Sequence, residues 1–238
     1  AGIAETNTEF GPNVEDNVAD APGTLELGSP LGKPQIKLLK RWTLDDQPNS
    51  SSDNGAVTKA VESFSGELSA NLVNTWWRAK TTATDMLQIG STASVEFDVS
   101  GALPNIGYWT LHFQAHTNWG TTGGNKILSK GTMELVAWKK TIVLKELNGA
   151  QYYFTFPNEV EKSVYNNKLI DFYFQRNPQG VKLFIDDGTG PKSCPQSVVG
   201  IIPYITEDDD SPLIIHGNAV SHLKDVWIAD GSLTATKI

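Results

Sequence analysis

Cysteine is almost missing from this chain: its 238 residues contain one, Cys194, so no internal disulfide can staple the fold. Stability must come from a buried core, which a chain of this length can supply. Positive charge is also scarce, with 19 Lys and Arg against 27 Asp and Glu and a net charge of −8. No basic stripe exists to neutralise phosphates, so nucleic acid is not an expected partner. No run approaches the roughly eighteen apolar residues of a membrane-spanning helix. The first residues show no basic-then-apolar leader pattern. Helical periodicity is lacking too, and only Thr58–Ser65 hints at a helical turn.

Glycine and proline are plentiful, at 21 and 12 residues, and they punctuate short alternating segments. The first such segment runs from Ile36 to Trp42. Further on, Val95, Phe97 and Val99 alternate with Glu96 and Asp98, and Trp109, Leu111, Phe113 and Ala115 alternate with Thr110, His112, Gln114 and His116. Later segments are Met133–Trp138, Thr141–Leu147, Gln151–Phe156, Leu169–Arg176, Val181–Asp186, Leu213–His216 and Leu223–Ala229. Gly123-Gly124, Asn148-Gly149, Asn177-Pro-Gln-Gly180 and Asp186-Asp-Gly188 supply turns between them. Many short strands without helices predict an all-β, antiparallel fold.

Residues 1–35 differ from the rest. Glycines and prolines interrupt any regular element, and residues 1–32 carry Glu5, Glu9, Glu15, Asp16, Asp20 and Glu26 with no Lys or Arg. That segment holds six of the net negative charges. It reads as an extended acidic N-terminal arm, too poor in periodic apolar residues to make a core of its own. The expectation is that it contacts neighbouring protein subunits, and that residues 36–238 form the folded domain.

Three sets of phrases carry a family resemblance. The chain closes on Val226-Trp-Ile-Ala-Asp-Gly-Ser-Leu-Thr-Ala-Thr-Lys-Ile238, a core strand, an Asp-Gly turn and two apolar plugs, Leu233 and Ile238. Near its start, Trp42-Thr-Leu-Asp-Asp46 leads into Ser52-Asp-Asn-Gly55. In the middle stand Ile127-Leu-Ser-Lys-Gly131 and Gly180-Val-Lys-Leu-Phe-Ile-Asp-Asp-Gly188. Together these resemble concanavalin-A-like lectin and laminin-G-like domains. The resemblance implies an antiparallel two-sheet jelly-roll (concanavalin-A-like) sandwich. That fold hosts lectins, hydrolases, lyases and virion proteins alike, so function must come from the site.

Aromatic and polar residues in loops point to sugar binding. Trp119 sits in Asn118-Trp-Gly-Thr-Thr-Gly-Gly-Asn125, just after the strand bearing His112 and His116. A loop Trp beside Asn and Thr offers a flat apolar face with hydrogen-bonding neighbours. Trp119, Asn118, His112 and His116 are therefore the expected carbohydrate-binding residues, with Trp76-Trp77 and Tyr204 as other aromatics. The alternative for Trp119 is packing beneath its own loop or against a neighbouring subunit. The expected partner is a cell-surface or extracellular polysaccharide.

Catalytic sets are incomplete. Gln114-Ala-His116 resembles the Gln-x-His phrase of jelly-roll polysaccharide lyases. There the Gln helps neutralise a uronate carboxylate and the His abstracts a proton. The Arg-rich and Tyr-containing strands of that family have only distant counterparts here, at Trp77-Arg78-Ala79-Lys80 and Phe172-Tyr173-Phe174-Gln175. Glu96-Phe-Asp98 resembles part of a retaining-glycosidase phrase, but Ser100 stands where the second catalytic carboxylate belongs. No cofactor is implied. Calcium is the one ion that acidic loops would take, at Asp208, Asp209 and Asp210, with Asp186-Asp187 and Asp45, Asp46 and Asp53 as further groups. His216 and His222 lack zinc spacing, and Cys194 has no base beside it.

The combined expectation is a non-catalytic recognition or structural protein, in the virion or outside the cell. Its concrete form is a bacteriophage decoration or receptor-binding subunit of a larger assembly. The alternatives are a free-standing lectin or a polysaccharide lyase using Gln114 and His116.

Overall fold

Sixteen strands make up nearly all the regular structure in the computed structural model. It describes residues 24–26, 35–44, 59–60, 62–67, 69–76, 86–100, 102, 109–120, 123–145, 151–177, 180–199 and 210–230. In chain order the strands are β1 (Thr24–Glu26), β2 (Gln35–Trp42), β3 (Lys59–Ala60), β4 (Ala70–Trp76), β5 (Leu87–Phe97), β6 (Trp109–Thr117), β7 (Asn125–Lys130) and β8 (Met133–Ala137). They continue with β9 (Thr141–Lys145), β10 (Gln151–Thr155), β11 (Leu169–Asn177), β12 (Gly180–Asp186), β13 (Lys192–Ser193), β14 (Gln196–Val199), β15 (Leu213–His216) and β16 (Val220–Asp230). Two 3₁₀ turns, Pro157–Glu159 and Lys162–Tyr165, are the only helical elements among the described residues.

All pairings are antiparallel, and the strands join in the order β13-β12-β11-β6-β16-β5-β15-β7-β8-β9-β10-β14. β2 and β1 extend from β16, while β4 and β3 extend from β5. The sheet cannot be flat. β11 and β10 stand eight spacings apart in this order, roughly 38 Å at about 4.8 Å each. Yet Trp119 touches both Phe172 of β11 and Phe156 just past β10, with ring centroids 6.3 and 5.5 Å away. The sheet therefore curls until its inner face closes on one core.

Two long strands make the fold-over. β16 pairs with β5 through His222 and Leu223, then with β2 from Val226 to Asp230, while β6 follows its other side. β5 likewise leaves β16 at Leu87–Gln88 and joins β15 at Ser94–Phe97. Strands that change partners are how sheets turn corners, usually at bulges. β16 has such an irregularity between Lys224 and Trp227, where Asp225 takes a positive φ of 49°.

Alternation fills the core. Leu111, Phe113 and Ala115 of β6 lie side by side with Phe174, Phe172 and Ile170 of β11, all fully buried. Phe113 stacks on Phe172 at 4.9 Å, and Trp42 meets Phe97 edge-on at the same distance. On β12, Val181, Leu183 and Ile185 face inward as their alternation predicts. A second, smaller cluster of Leu38, Trp227 and Ala229, with Tyr173 against it, sits apart from the main core.

Two expectations are corrected here. The helical hint at Thr58–Ser65 is a two-residue strand, Lys59–Ala60, followed by a turn. A two-residue pairing is too short for any periodicity to register. The arm is not wholly separate either, because Thr24–Glu26 pairs with Gln35–Lys37 at the edge of the sheet. Backbone hydrogen bonding needs no apolar pattern, so composition alone could not reveal it. The turn signal at Asn148-Gly149, the loop aspartates 45, 46 and 53 and the closing phrase after Asp230 lie outside the described residues.

The turn after β3 is organised by a buried acid. Glu62 is 3 % exposed, and its carboxylate accepts the backbone N–H groups of Arg41 and Ser65 at 2.8 Å and of Phe64 at 3.2 Å. Burial pushes its pKa up, but these bonds together hold it below the ordinary glutamate value. A depressed folded pKa adds stability above the unfolded value near 4.3, and that stability is lost as pH falls through the folded pKa. Glu62→Gln should cost about 1–3 kcal/mol at neutral pH. Melting temperature measured against pH should then fall less steeply below about pH 4 in the variant than in the wild type. Parallel curves would assign the acid sensitivity to other carboxylates.

Candidate recognition surface

Strand alternation turns His112, Gln114 and His116 of β6 away from the core, opposite Tyr173, Asp171 and Leu169 of β11. They do not face open solvent. His112 is 4 % exposed, stacked on Trp227 at 4.7 Å and tilted against Tyr173 at 4.8 Å. Its Nδ1 donates to the Asp225 carbonyl at 3.0 Å, and its Nε2 lies 2.7 Å from Asp171 Oδ1. Both ring nitrogens are thus engaged with oxygen atoms of the protein. His112 is a structural residue of this face and is not open to a sugar, contrary to expectation.

Gln114 donates its side-chain amide to the two oxygens of Asp171, at 3.4 and 3.2 Å. An incoming uronate carboxylate would compete with Asp171 for that amide and meet its negative charge. Tyr173 is unsuited to act as a base. Burial first, and then the carboxylates of Asp171, Asp186 and Asp225, push its phenol far above the ordinary tyrosine value, so it stays protonated. The guanidinium on this face, Arg41, is engaged through Nε with Asp225 Oδ1 at 2.7 Å. His116 places Nδ1 3.2 Å from Ser221 Oγ, beside His222. The Gln-x-His phrase is therefore laid out on one strand as expected, but its Gln is already occupied. Arg78 and Lys80 lie outside the described residues.

Trp119 is the larger correction. It is 2 % exposed and wedged against Phe156 and Phe172, so neither face of its ring is open for stacking. Several non-local bonds seat it. The Trp119 N–H donates to Asn166 Oδ1 at 2.7 Å, the Asn118 N–H to the Ala219 carbonyl at 2.9 Å, and the Thr117 hydroxyl to the Tyr165 carbonyl at 2.5 Å. Its own Nε1 is buried and finds no hydrogen-bond partner among the described residues. Asn118 remains exposed on the outer side of this loop.

The far end of the same loop is pinned by a buried cation. Lys162 is 2 % exposed, and its ammonium donates to the Gly123 carbonyl at 2.8 Å and to Asn125 Oδ1 at 2.7 Å. Burial lowers its pKa from the ordinary lysine value. Asn125 in turn donates to the Asn218 carbonyl at 3.1 Å. Beside this segment lies Trp138, 42 % exposed, in the turn between β8 and β9. A Cβ placed on Gly124 would fall 2.9 Å from Trp138 Cζ2, so only glycine lets the indole lie this close. Sequence reading passed over Trp138, although its position next to Lys139-Lys140 and after buried Leu135, Val136 and Ala137 marks a strand leaving the core.

The remaining expected sites divide as follows. Asp208 and Asp209 lie outside the described residues, as do Trp77 and Tyr204, and Asp210 is exposed. Asp186 Oδ1 accepts the Gly188 and Gly190 N–H groups, while Asp187 Oδ1 accepts Thr189 and Lys192, so both acids hold their own turn. No group of three or more metal-ligating side chains converges among the described residues. Asp98 bonds to Ser100 beyond the end of β5. His216 places Nε2 2.8 Å from Ser129 Oγ, and burial holds its pKa below the ordinary value. Cys194 is buried, which pushes its thiol up to about 12 and keeps it unreactive.

Neither a protein-family model nor a curated protein sequence matches this chain. Among solved structures it is similar to a botulinum neurotoxin type C chain whose cell entry is dependent upon interaction with two ganglioside molecules. The TM-score is 0.56 at 12 % identity, over 82 % of this chain and 48 % of that one. It is also similar to Trypanosoma rangeli sialidase in complex with the inhibitor DANA, with TM-score 0.47 and 12 % identity over 93 % of this chain and 35 % of that one. The exoplasmic/lumenal domain of VIP36 in its Ca²⁺/Man-bound form gives TM-score 0.40 and 7 % identity over 73 % of this chain and 87 % of that one. The chain thus spans about half the length of the neurotoxin chain, with which it shares a fold. The two lower scores carry no fold assignment.

Proposed function

We propose that this protein is a lectin-like recognition subunit that binds glycans without turning them over, built as a concanavalin-A-like two-sheet jelly roll. The observation that carries the reading is the fold shared with a neurotoxin chain whose cell entry depends on gangliosides. The cross-strand engagement of Gln114 by Asp171 supports the non-catalytic part. Asn118 and His116 stay in the proposal as polar residues at the rim of the binding region. The uneven charge of residues 1–32 supports an assembly role, with the arm reaching a neighbouring subunit of a virion surface or extracellular particle. Calcium at Asp208–Asp210 would add to this reading without being required by it.

One experiment separates the alternatives. The full chain should bind a subset of glycans on an immobilised array, with and without a calcium chelator. It should also release no unsaturated product from alginate, glucuronan or heparin. Product formation that His116→Ala abolishes would replace the proposal with the lyase. Binding lost on chelation alone would place calcium in the site.

A further inference from the structure

We infer that the saccharide-binding platform is the outer face of Trp138, set on Gly124 and rimmed by Lys139 and Lys140, and that its ligand is a pyranose ring at a glycan terminus. This rests on the glycan-binding reading and names the site for it.

Four observations support the site. First, Trp42, Trp109, Trp119 and Trp227 are all at most 4 % exposed, whereas Trp138 is 42 % exposed. Of these tryptophans Trp138 alone leaves part of its apolar ring face to solvent, at an exposure similar to that of Phe64, Val164 and Leu169.

Second, the turn that carries the ring is fixed by backbone hydrogen bonds. The Trp138 N–H donates to the Thr141 carbonyl at 2.7 Å, and the carbonyls of Lys139 and Lys140 accept from Lys162 at 2.8 Å and Phe156 at 3.2 Å. Gly124 lies against the indole. A platform fixed before binding loses little entropy on contact.

Third, the ground beneath it is fixed as well. Lys162 holds the Gly123 carbonyl and the Asn125 carboxamide with a buried ammonium. Its only ionic neighbour in sequence, Glu161, is spent on Lys139 at 3.3 Å. This buried charge anchors the glycine segment against which the ring rests.

Fourth, the surroundings fit a sugar better than a protein. Gly123, Gly124, Lys139 and Lys140 around the ring are all exposed and polar or bare backbone. A stable protein partner needs roughly 800 Å² a side with an apolar centre. One indole in a polar rim matches a pyranose, which has an apolar C–H face and a border of hydroxyls.

The test uses the full chain against immobilised glycans ending in glucose, galactose, mannose or N-acetylneuraminic acid. Wild type should bind at least one of them. Trp138→Ala should weaken that binding at least tenfold with the melting temperature kept within a few degrees. Trp138→Phe, which keeps a flat face, should stay within a few-fold of wild type. Wild-type binding that survives Trp138→Ala would overturn this site while leaving glycan recognition standing. Equal loss in Trp138→Phe and Trp138→Ala would overturn stacking on the ring. Wild type that binds none of the four would bring down the site and the glycan reading together. Among successful ligands, a preference for N-acetylneuraminic acid that Lys140→Glu removes would make the ligand acidic, and its absence would make it neutral.

Discussion

Gly217→Ala is expected to destabilise this protein by at least about 3 kcal/mol, with loss of soluble expression as the visible form. Gly217 lies between β15 and β16 and crosses directly over the bend in β5. A Cβ there would fall 1.8 Å from the Gly90 carbonyl oxygen, 2.9 Å from its carbon and 2.7 Å from Ile89 Cγ2. Two of those atoms are backbone, so no rotamer can relieve the overlap. The segment cannot back away either, because the Gly217 N–H donates to the Ala93 carbonyl at 2.9 Å. Gly66 provides the comparison. It has a φ of +71° but nothing within 4 Å of an added Cβ. Gly66→Ala should therefore cost about 1 kcal/mol from backbone strain alone. Thermal melts of both variants check the pair, at roughly 2–4 °C per kcal/mol for a domain of this size. A Gly217→Ala protein melting with wild type would mean that β5 and the β15–β16 turn do not approach this closely.

Trp119→Ala should come next in severity, at about 3–5 kcal/mol, because it removes the largest side chain joining the two facing parts of the sheet. Phe156 and Phe172 would each lose a ring contact, and Asn166 would be left holding an emptied loop. Trp119→Phe should lose much less than its volume change implies. The wild-type indole carries a buried N–H with no partner among the described residues. Discarding that donor removes a penalty of about 1–3 kcal/mol. Denaturant unfolding of wild type, Trp119→Phe and Trp119→Ala resolves the order. A Trp119→Ala protein as stable as wild type would show an open loop residue, and would return Trp119 to contention as a sugar platform.

These two residues also show how far the sequence could be read. The strands β6, β11, β12 and β15 were legible because each turns alternate side chains into one core, and that period is written in the residues. Trp119 was not. Its neighbours, Asn118, Gly120 and Gly123-Gly124, have the same composition whether the loop stands open or folds under. What decides is a set of bonds to Asn166, Ala219 and Tyr165, far away in the chain. The exposed Trp138 belongs to another hairpin, and it meets Gly124 of this loop only in the fold. β1 was hidden for a different reason. Three residues between proline-rich stretches show no period, and they join the sheet through backbone atoms that every sequence possesses. The closed state of the β6 face was equally unreadable. Asp171 sits 57 positions from Gln114, and only the register of β11 on β6 sets them side by side.

The placement of β16 governs how the nascent chain can fold as it leaves the ribosome. This strand lies between β6 and β5 and carries β2 on its other half, yet residues up to Asp230 must be synthesised before it exists. Until then the growing polypeptide holds three unconnected groups of strands, β1–β2, β6 with β11–β13, and those around β5, with open, hydrogen-bond-hungry borders, the kind that pair with the wrong neighbour. Productive folding must therefore wait until β16 has been made, and its rate should be that of a protein dominated by distant pairings, milliseconds to seconds or slower. A product stalled before β16 would expose the inner faces of these groups to any quality-control factor that binds apolar strands.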